Sequence, residues 1–418
     1  MAEPSPLLPA TAALADDGRL VIGGCAVADV VAEFGTPLLM VDEATLREQA
    51  RLQLAELRSR HADSDVYFAT KAFPCPGVIR VLAEEGCGAD VVSAGELLFA
   101  LKAGVATERI LMHGNAKSDR DLQAALEAQI GLIVIDGFDE IDRLERLATR
   151  PQRVLLRLNP GVDAPTHEAM ATGHDGSKFG IGGDEIEAAI DRVTASPMLE
   201  LEGLHAHIGS QILELEPFAR AVEKIAGYGQ FATYDLGGGL GVRYTLDDDP
   251  APTPGDYAAT LIDAAHQHLG TDCRIIVEPG RSLVAAAGVT AYSAVTVKRG
   301  AHNFVAVDGG MGDNLEPMLY GQRFEPIVLD APATRELEEF AVVGPHCETG
   351  DRLVGTSPLA GPAVGDTILL PVTGAYCYTL ANNYNGSLRP PVVLLSDGSA
   401  TEIVRRETDA DLLARQIL

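Results

Sequence analysis

A parallel (β/α)8 barrel followed by a mostly antiparallel β domain is the fold class the sequence predicts. Three observations lead there. Between about Leu38 and Arg281, short apolar runs alternate with amphipathic stretches in roughly eight units, the rhythm of a barrel rather than an open sheet. Beyond Arg281 the texture changes to β-rich segments separated by glycine and proline. The chain, at 418 residues, is too long for one ordinary domain and suits a barrel plus a smaller one.

The predicted strands of the first part are LLMVDE, VYFATKA, ADVVSA, ILMHGN, GLIVIDG, RVLLRLNP, LEGLHAHIG, TYDLGGG and RIIVEPG. Helical patterns such as EATLREQARLQLAELRSRH and DLQAALEAQ lie between most of them. The later strands include VTAYSAVTVKRG, NFVAVDGGM, EEFAVVG, DTILLPVT and PVVLLSD. The expected division is residues 37–282 for the barrel and 283–418 for the β domain, with residues 1–36 contributing to the latter.

Composition narrows the function. A net charge of −28 argues against nucleic acid, whose phosphates need a basic surface, and against an anionic membrane. No apolar run is long enough to span a bilayer, and the first residues lack a basic n-region, so the expected location is the cytoplasm. The six cysteines are scattered without a C-x-x-C pair, which argues against a disulfide framework and a zinc site.

In a barrel, function gathers at the carboxyl ends of the strands. Lys71 stands there, after VYFAT and before AFPCP, either as a solvated charge or as an amine made nucleophilic by its pocket. Asp235-Leu-Gly-Gly-Gly follows the next-to-last barrel strand, and Gly237, Gly238 and Gly239 read either as a tight turn or as a phosphate cradle. The run is not a dinucleotide fingerprint, because Val242 stands where the third glycine would be. His205 and His207 are two residues apart on one strand, so they share a face. A metal pair would need a third ligand, and packed or ring-stacking histidines are the better reading. Glu278-Pro-Gly-Arg closes the last strand, where Glu278 and Arg281 form a surface ion pair or recognise a charged ligand.

These segments together resemble the fold-type III decarboxylases that depend on pyridoxal 5′-phosphate (PLP). The similarity runs through FGTPLLMVDEATLRE, VYFATKAFPCP, GADVVSAGEL, HGNAKSD, the THEAMATG and SKFGI stretches, GLHAHIGSQI, DLGGGLG, VEPGR, VAVDGG, GPHCETGD and GAYCY. THEAMATG, SKFGI and HIGSQI resemble the diaminopimelate branch rather than the ornithine branch. The resemblance implies an alanine-racemase-like barrel with a C-terminal β domain, and a carboxy-lyase acting on a small amino acid. It implies that Lys71 carries the cofactor as a Schiff base and that His207 stacks on its ring, with Asp90 and Arg157 around it. Ser210 and Gly237–Gly239 would hold the phosphate with Tyr376, Gly280 would line the cofactor site, and Glu278 would keep the ring nitrogen protonated. Arg281, Tyr320, Glu348 and Tyr376 would bind substrate, and Cys347 would protonate Cα. Family members are homodimers with shared sites, so Cys347 and Glu348 would enter the partner's site. Two rivals are an amino-acid racemase, which would place arginine rather than Glu278 at the ring nitrogen, and a PLP-binding protein without catalysis. The latter would be expected to lack the β domain, or else the lysine, the glycines or the cysteine.

One position departs from the branch. Where its members have an arginine for the distal carboxylate, this chain has Glu316, with Pro317 and Tyr320 retained. At ~4 Å and an effective dielectric of about 20, two carboxylates repel by roughly 4 kcal/mol. The expectation is a substrate whose far end is cationic, neutral or carrier-linked. The alternative is meso-diaminopimelate itself, with Arg323 replacing the missing charge or Glu316 turned away.

Overall fold

The structure, a computed structural model, describes residues 4–163, 173, 177–332 and 334–417. Most of the THEAMATG segment lies outside the described residues. The chain divides into two units, Arg47–Val242 with Ala251–Leu283, and Met1–Leu46 with Arg243–Pro250 and Val284–Leu418. Among the described residues, no helix is long and apolar enough to cross a membrane.

The first unit holds a closed barrel of eight parallel strands: Ser64–Ala69, Gly88–Val91, Ile110–Met112, Leu132–Ile135, Gln152–Arg157, Leu199–His205, Thr233–Asp235 and Arg274–Val277. Each pairs with the next in sequence, and the last closes on the first with Ile275 opposite Ser64. Closure buries most residues on both faces of the strands, which is why most of them read as continuous apolar runs. Tyr67, Leu111, Leu132, Val134, Leu155 and Ile276 meet in one buried cluster, and their origin in five strands places it inside the ring. The sixth strand bulges between Leu201 and Gly203, where a Cβ at Gly203 would lie 1.6 Å from Thr233 O, so only glycine fits.

Helices join the strands and start where their caps dictate. Ser118 with Asp121 and Thr253 with Asp256 form reciprocal capping boxes at Asp119–Ala128 and Pro254–His268. At the amino ends of the strands, Asp65 accepts from Arg274 at 2.6 Å, Arg58 at 3.1 Å and Arg109 at 3.2 Å. The Arg109 and Arg274 guanidinium groups lie 5.6 and 6.0 Å from the centre of the Tyr67 ring. This end is a charged plug, leaving chemistry to the carboxyl ends.

The second unit is built on Gly288–Lys298, which pairs antiparallel with Phe304–Val307, Thr367–Pro371 and Leu38–Asp42. Val392–Ser396 runs parallel to Leu38–Asp42 and turns back as Ser399–Val404. Leu38–Asp42, expected as the first barrel strand, therefore belongs to this sheet. All five of its residues are buried, and a strand covered on both faces carries the same apolar signal in either sheet. Helix Glu43–Arg60 consequently precedes the first barrel strand instead of following it.

Candidate active site

At the carboxyl ends of the barrel strands lies a cavity of about 380 Å³, within the range of small-molecule sites. Lys71, Asp90, His113, Arg157, His207 and Glu278 line it. Lys71 occupies a single turn of 3-10 helix, Thr70–Ala72, just past the first strand, and is exposed to solvent. Two interactions fix this turn. Thr70 Oγ1 lies 2.7 Å from Asp90 O and 2.9 Å from Glu96 Oε2 and shares its one proton between them, and Glu96 also accepts from Val92 N. Gly280 packs against the turn's other side, where a Cβ would come 3.1 Å from Ala72 Cβ and 3.2 Å from Ala69 Cβ.

Glu278 stands one residue past the eighth strand, 7 % exposed, and its N–H donates to Gly237 O at 2.8 Å. His113 Nε2 donates to its Oε1, and His205 Nε2 donates to its Oε2 at 3.2 Å. The two imidazole rings lie 4.4 Å apart. Burial works against the Glu278 charge, but the two imidazoles outweigh it and hold the carboxyl well below its ordinary value. Burial, followed by the neighbouring His113, pushes His205 down to about 3, so it is neutral with its proton on Nε2. Its Nδ1 is then a lone pair, which meets no donor among the described residues. Burial and the cations Lys71 and Arg157 also push His207 well below its ordinary value.

The glycine run is demanded by close approach. A Cβ at Gly238 would lie 2.1 Å from Glu278 O, and one at Gly239 would lie 2.5 Å from Gly209 O. Gly237 N–H donates to Asp235 Oδ1 at 2.9 Å and Gly238 N–H to His207 Nδ1 at 3.2 Å. Of the three expected phosphate amides, two thus point inward. Gly239 packs against Gly209, next to the half-buried Ser210. Arg157, at the end of the fifth strand, lies over the Phe179 ring at 4.5 Å, with Asp136 at 3.9 Å. Arg281 is 4 % exposed at the start of the short helix Arg281–Val284.

His113, absent from the expected site, is brought in by the HGNAK loop. The loop is held by Lys117, whose Nζ donates to Gly114 O and Val134 O, both at 2.7 Å, and pairs with Glu140 at 2.8 Å. The available signal was its position: His113 directly follows a barrel strand, as Lys71 nearly does.

Glu316, Tyr320, Cys347, Glu348 and Tyr376 belong to the other unit. Three segments are knotted there. Asp351 accepts from Met311 N at 2.7 Å and from His346 N at 2.8 Å, Asn382 N donates to Gly312 O, and Cys347 N donates to Asn385 Oδ1 at 2.8 Å. Cys347 and Glu348 are exposed, and Tyr376 takes a left-handed backbone with φ of 64°. Glu316 is 1 % exposed in the first turn of helix Glu316–Tyr320, where a negative charge suits the helix dipole. Arg323 pairs with Asp248 at 2.6 Å and so is already engaged.

A strand-end lysine and a buried anionic carboxylate opening on one cavity define a barrel enzyme site for a small ligand. Residues 44–285 match the pyridoxal binding domain of the pyridoxal-dependent decarboxylases, and the chain belongs to that family. It is a carboxy-lyase whose cofactor is pyridoxal 5′-phosphate. It is 44 % identical to the diaminopimelate decarboxylase of Actinosynnema pretiosum subsp. auranticum, over 96 % of this chain and 93 % of that one. With the diaminopimelate decarboxylase of Bacillus subtilis strain 168 it shares 40 % identity, over 95 % and 94 %. The crystal structure of the M. jannaschii diaminopimelate decarboxylase in complex with L-lysine superposes with a TM-score of 0.91 at 30 % identity, covering 98 % of both chains. The Helicobacter pylori enzyme, also complexed with L-lysine, gives 0.88 at 31 %, over 93 % of this chain and 98 % of that one.

The Lys117–Glu140 pair gives the first prediction. Lys117→Met should lower stability to urea by about 3 kcal/mol by leaving Glu140 buried and uncompensated, and Lys117→Met with Glu140→Leu should recover most of the loss.

Proposed function

We propose that the chain removes the α-carboxylate of diaminopimelate or a close analogue, with Lys71 and Glu278 as the two poles of its site. The observation that carries the reading is Lys71 and the ionised Glu278 opening on one cavity. The donor set suits PLP: an amine for its aldehyde, an anion for its ring nitrogen, a glycine turn free of side chains, and a buried Asp90 oxygen with no partner among the described residues. When bound, the cofactor supplies an electron sink for the charge left as CO2 departs. Lys71 would offer the amine that attaches the cofactor through its aldehyde. Glu278 keeps its charge because two N–H donors hold it, and a held charge favours a protonated ring nitrogen. Neutral His207, with Nδ1 engaged by Gly238, presents a fixed ring for stacking. Gly237, Gly238, Gly239, Gly280, Ser210 and Tyr376 complete the cofactor site, and Asp90 and Arg157 line its wall. Arg281, Tyr320 and Glu348 bind substrate. The Cys347 thiol delivers the proton that replaces CO2 on Cα.

The names of the similar enzymes support diaminopimelate itself as substrate. Glu316 favours a second reading, in which the distal end is cationic, neutral or carrier-linked. Arg323 pairs with Asp248, and compensation would require it to give up that exposed pair. CO2 release from meso-diaminopimelate, lysine, ornithine, arginine and carrier-linked amino acids decides between them. Preference for meso-diaminopimelate selects the first reading. Preference for another substrate, with Glu316→Arg raising kcat/KM for meso-diaminopimelate by ~10-fold or more, selects the second. No CO2 from any of them overturns both.

The working form we propose is a homodimer with shared sites, supported by the exposure of Cys347 and Glu348 and of the apolar Met318 and Leu319. Lys71→Ala and Cys347→Ala are each expected to be inactive alone. Refolded together they should regain about a quarter of the intact sites, because half of the dimers are mixed and each carries one complete site. No recovery on mixing contradicts sharing.

A further inference from the structure

Glu278 has a second carboxyl against it that no role above uses. Asp235 ends the seventh strand, beside the eighth strand from which Glu278 follows, and is 0 % exposed. One donor atom from each of His113, His205, Asp235 and Glu278 lies within 4.8 Å of the others. Asp235 Oδ1 accepts from Gly237 N–H at 2.9 Å. Its Oδ2 is buried and meets no hydrogen-bond partner among the described residues, and a carboxyl oxygen of Asp235 lies within 4.8 Å of one of Glu278.

Two carboxylates cannot share a hydrogen bond without a proton between them, and in a buried site both cannot carry full charge. The donors decide which one ionises. Glu278 receives an imidazole N–H on each oxygen, whereas Asp235 receives one backbone N–H on Oδ1. Glu278 therefore keeps the charge. We propose that Asp235 is a neutral carboxylic acid at neutral pH, donating its Oδ2 proton to Glu278 as a third hydrogen bond on that anion. It is a positioning residue that acts on the cofactor through Glu278.

The surroundings agree. Around Asp235 stand Glu278 on the eighth strand's end, His205 on the sixth, His113 after the third, Asp90 on the second, Arg157 on the fifth and Tyr257 from helix Pro254–His268. Burial, then the Glu278 charge, raises Asp235 well above the ordinary carboxylate value. Asp90 is raised in the same way, so burial alone does not distinguish them, but Asp235, unlike Asp90, belongs with Glu278 to the cluster within 4.8 Å. The glycine at 237 follows from the same arrangement: its N–H must reach back to Asp235 Oδ1 at a φ of +66°, with His207 Nδ1 only 2.9 Å from a Cβ there. A carboxylic acid kept neutral by its site, so that it can donate a hydrogen bond, is a known device in other enzymes.

The inference shares Glu278 with the proposed function but concerns a proton in the protein, so it is read without turnover. Infrared spectra of the full chain, with PLP and without it, should show at pH 7 a protonated-carboxyl C=O band that shifts in D2O and is lost in Asp235→Asn. Asp235→Ser serves the same purpose should the asparagine variant not fold. A second readout is proton linkage to unfolding. A folded-state value above the unfolded one means the stabilisation is complete in acid and is lost as pH rises through the folded value. From about pH 5 to neutral pH the wild type should therefore change in stability with a slope more negative than that of Asp235→Asn, by close to one proton. An Asp235-dependent ionised-carboxylate band in place of the protonated one, or equal slopes in the two proteins, overturns the proposal. Failure to bind PLP with the protonated band intact would instead count against the cofactor site.

Discussion

Burying a charge is costly, and the barrel meets that cost at Glu278. The carboxylate is nearly inaccessible, yet each of its oxygens receives an imidazole N–H, one from His113 and one from His205. Those two donors make the ionised form the stable one in a place where desolvation alone would neutralise it. Much else in the site can be traced to keeping them there. His205 ends the sixth strand and is fixed by the barrel itself. His113 sits on a loop and is fixed by Lys117, an ammonium with no exposed side-chain surface that is held by two carbonyls and by Glu140.

The glycines are the second consequence. Strand ends that bring Glu278, His207 and the Lys71 turn together leave no room for side chains between them. Gly238 lies against the Glu278 carbonyl, Gly239 against Gly209, and Gly280 against Ala69 and Ala72. A glycine-rich turn is usually read as a cradle for an anion. Here packing accounts for each glycine, and two of the amides are spent on Asp235 and His207.

Much of this was legible in the amino-acid sequence. The alternation of strand and helix marked the barrel, the strand-end rule pointed to Lys71 and Glu278, a shared strand face to His207, and the family resemblance to Asp90 and Arg157; all five line one cavity. Leu38–Asp42 went to the wrong sheet because a strand buried on both faces carries no mark of its neighbours. His113 was passed over because a histidine in a loop motif states nothing about a glutamate 165 residues away. Asp235 was seen only as the residue before a glycine run. Its chemistry depends on which carboxyl stands beside it, and that pairing exists only once the seventh and eighth strands are side by side.

Whether Glu278 governs the cofactor can be read directly from the nitrogen NMR shift of ring-labelled PLP bound to the full chain. Wild type should show a protonated ring nitrogen at neutral pH, and Glu278→Gln an unprotonated one with the cofactor still attached at Lys71. Ring-nitrogen shifts that are the same in the two proteins would contradict the account.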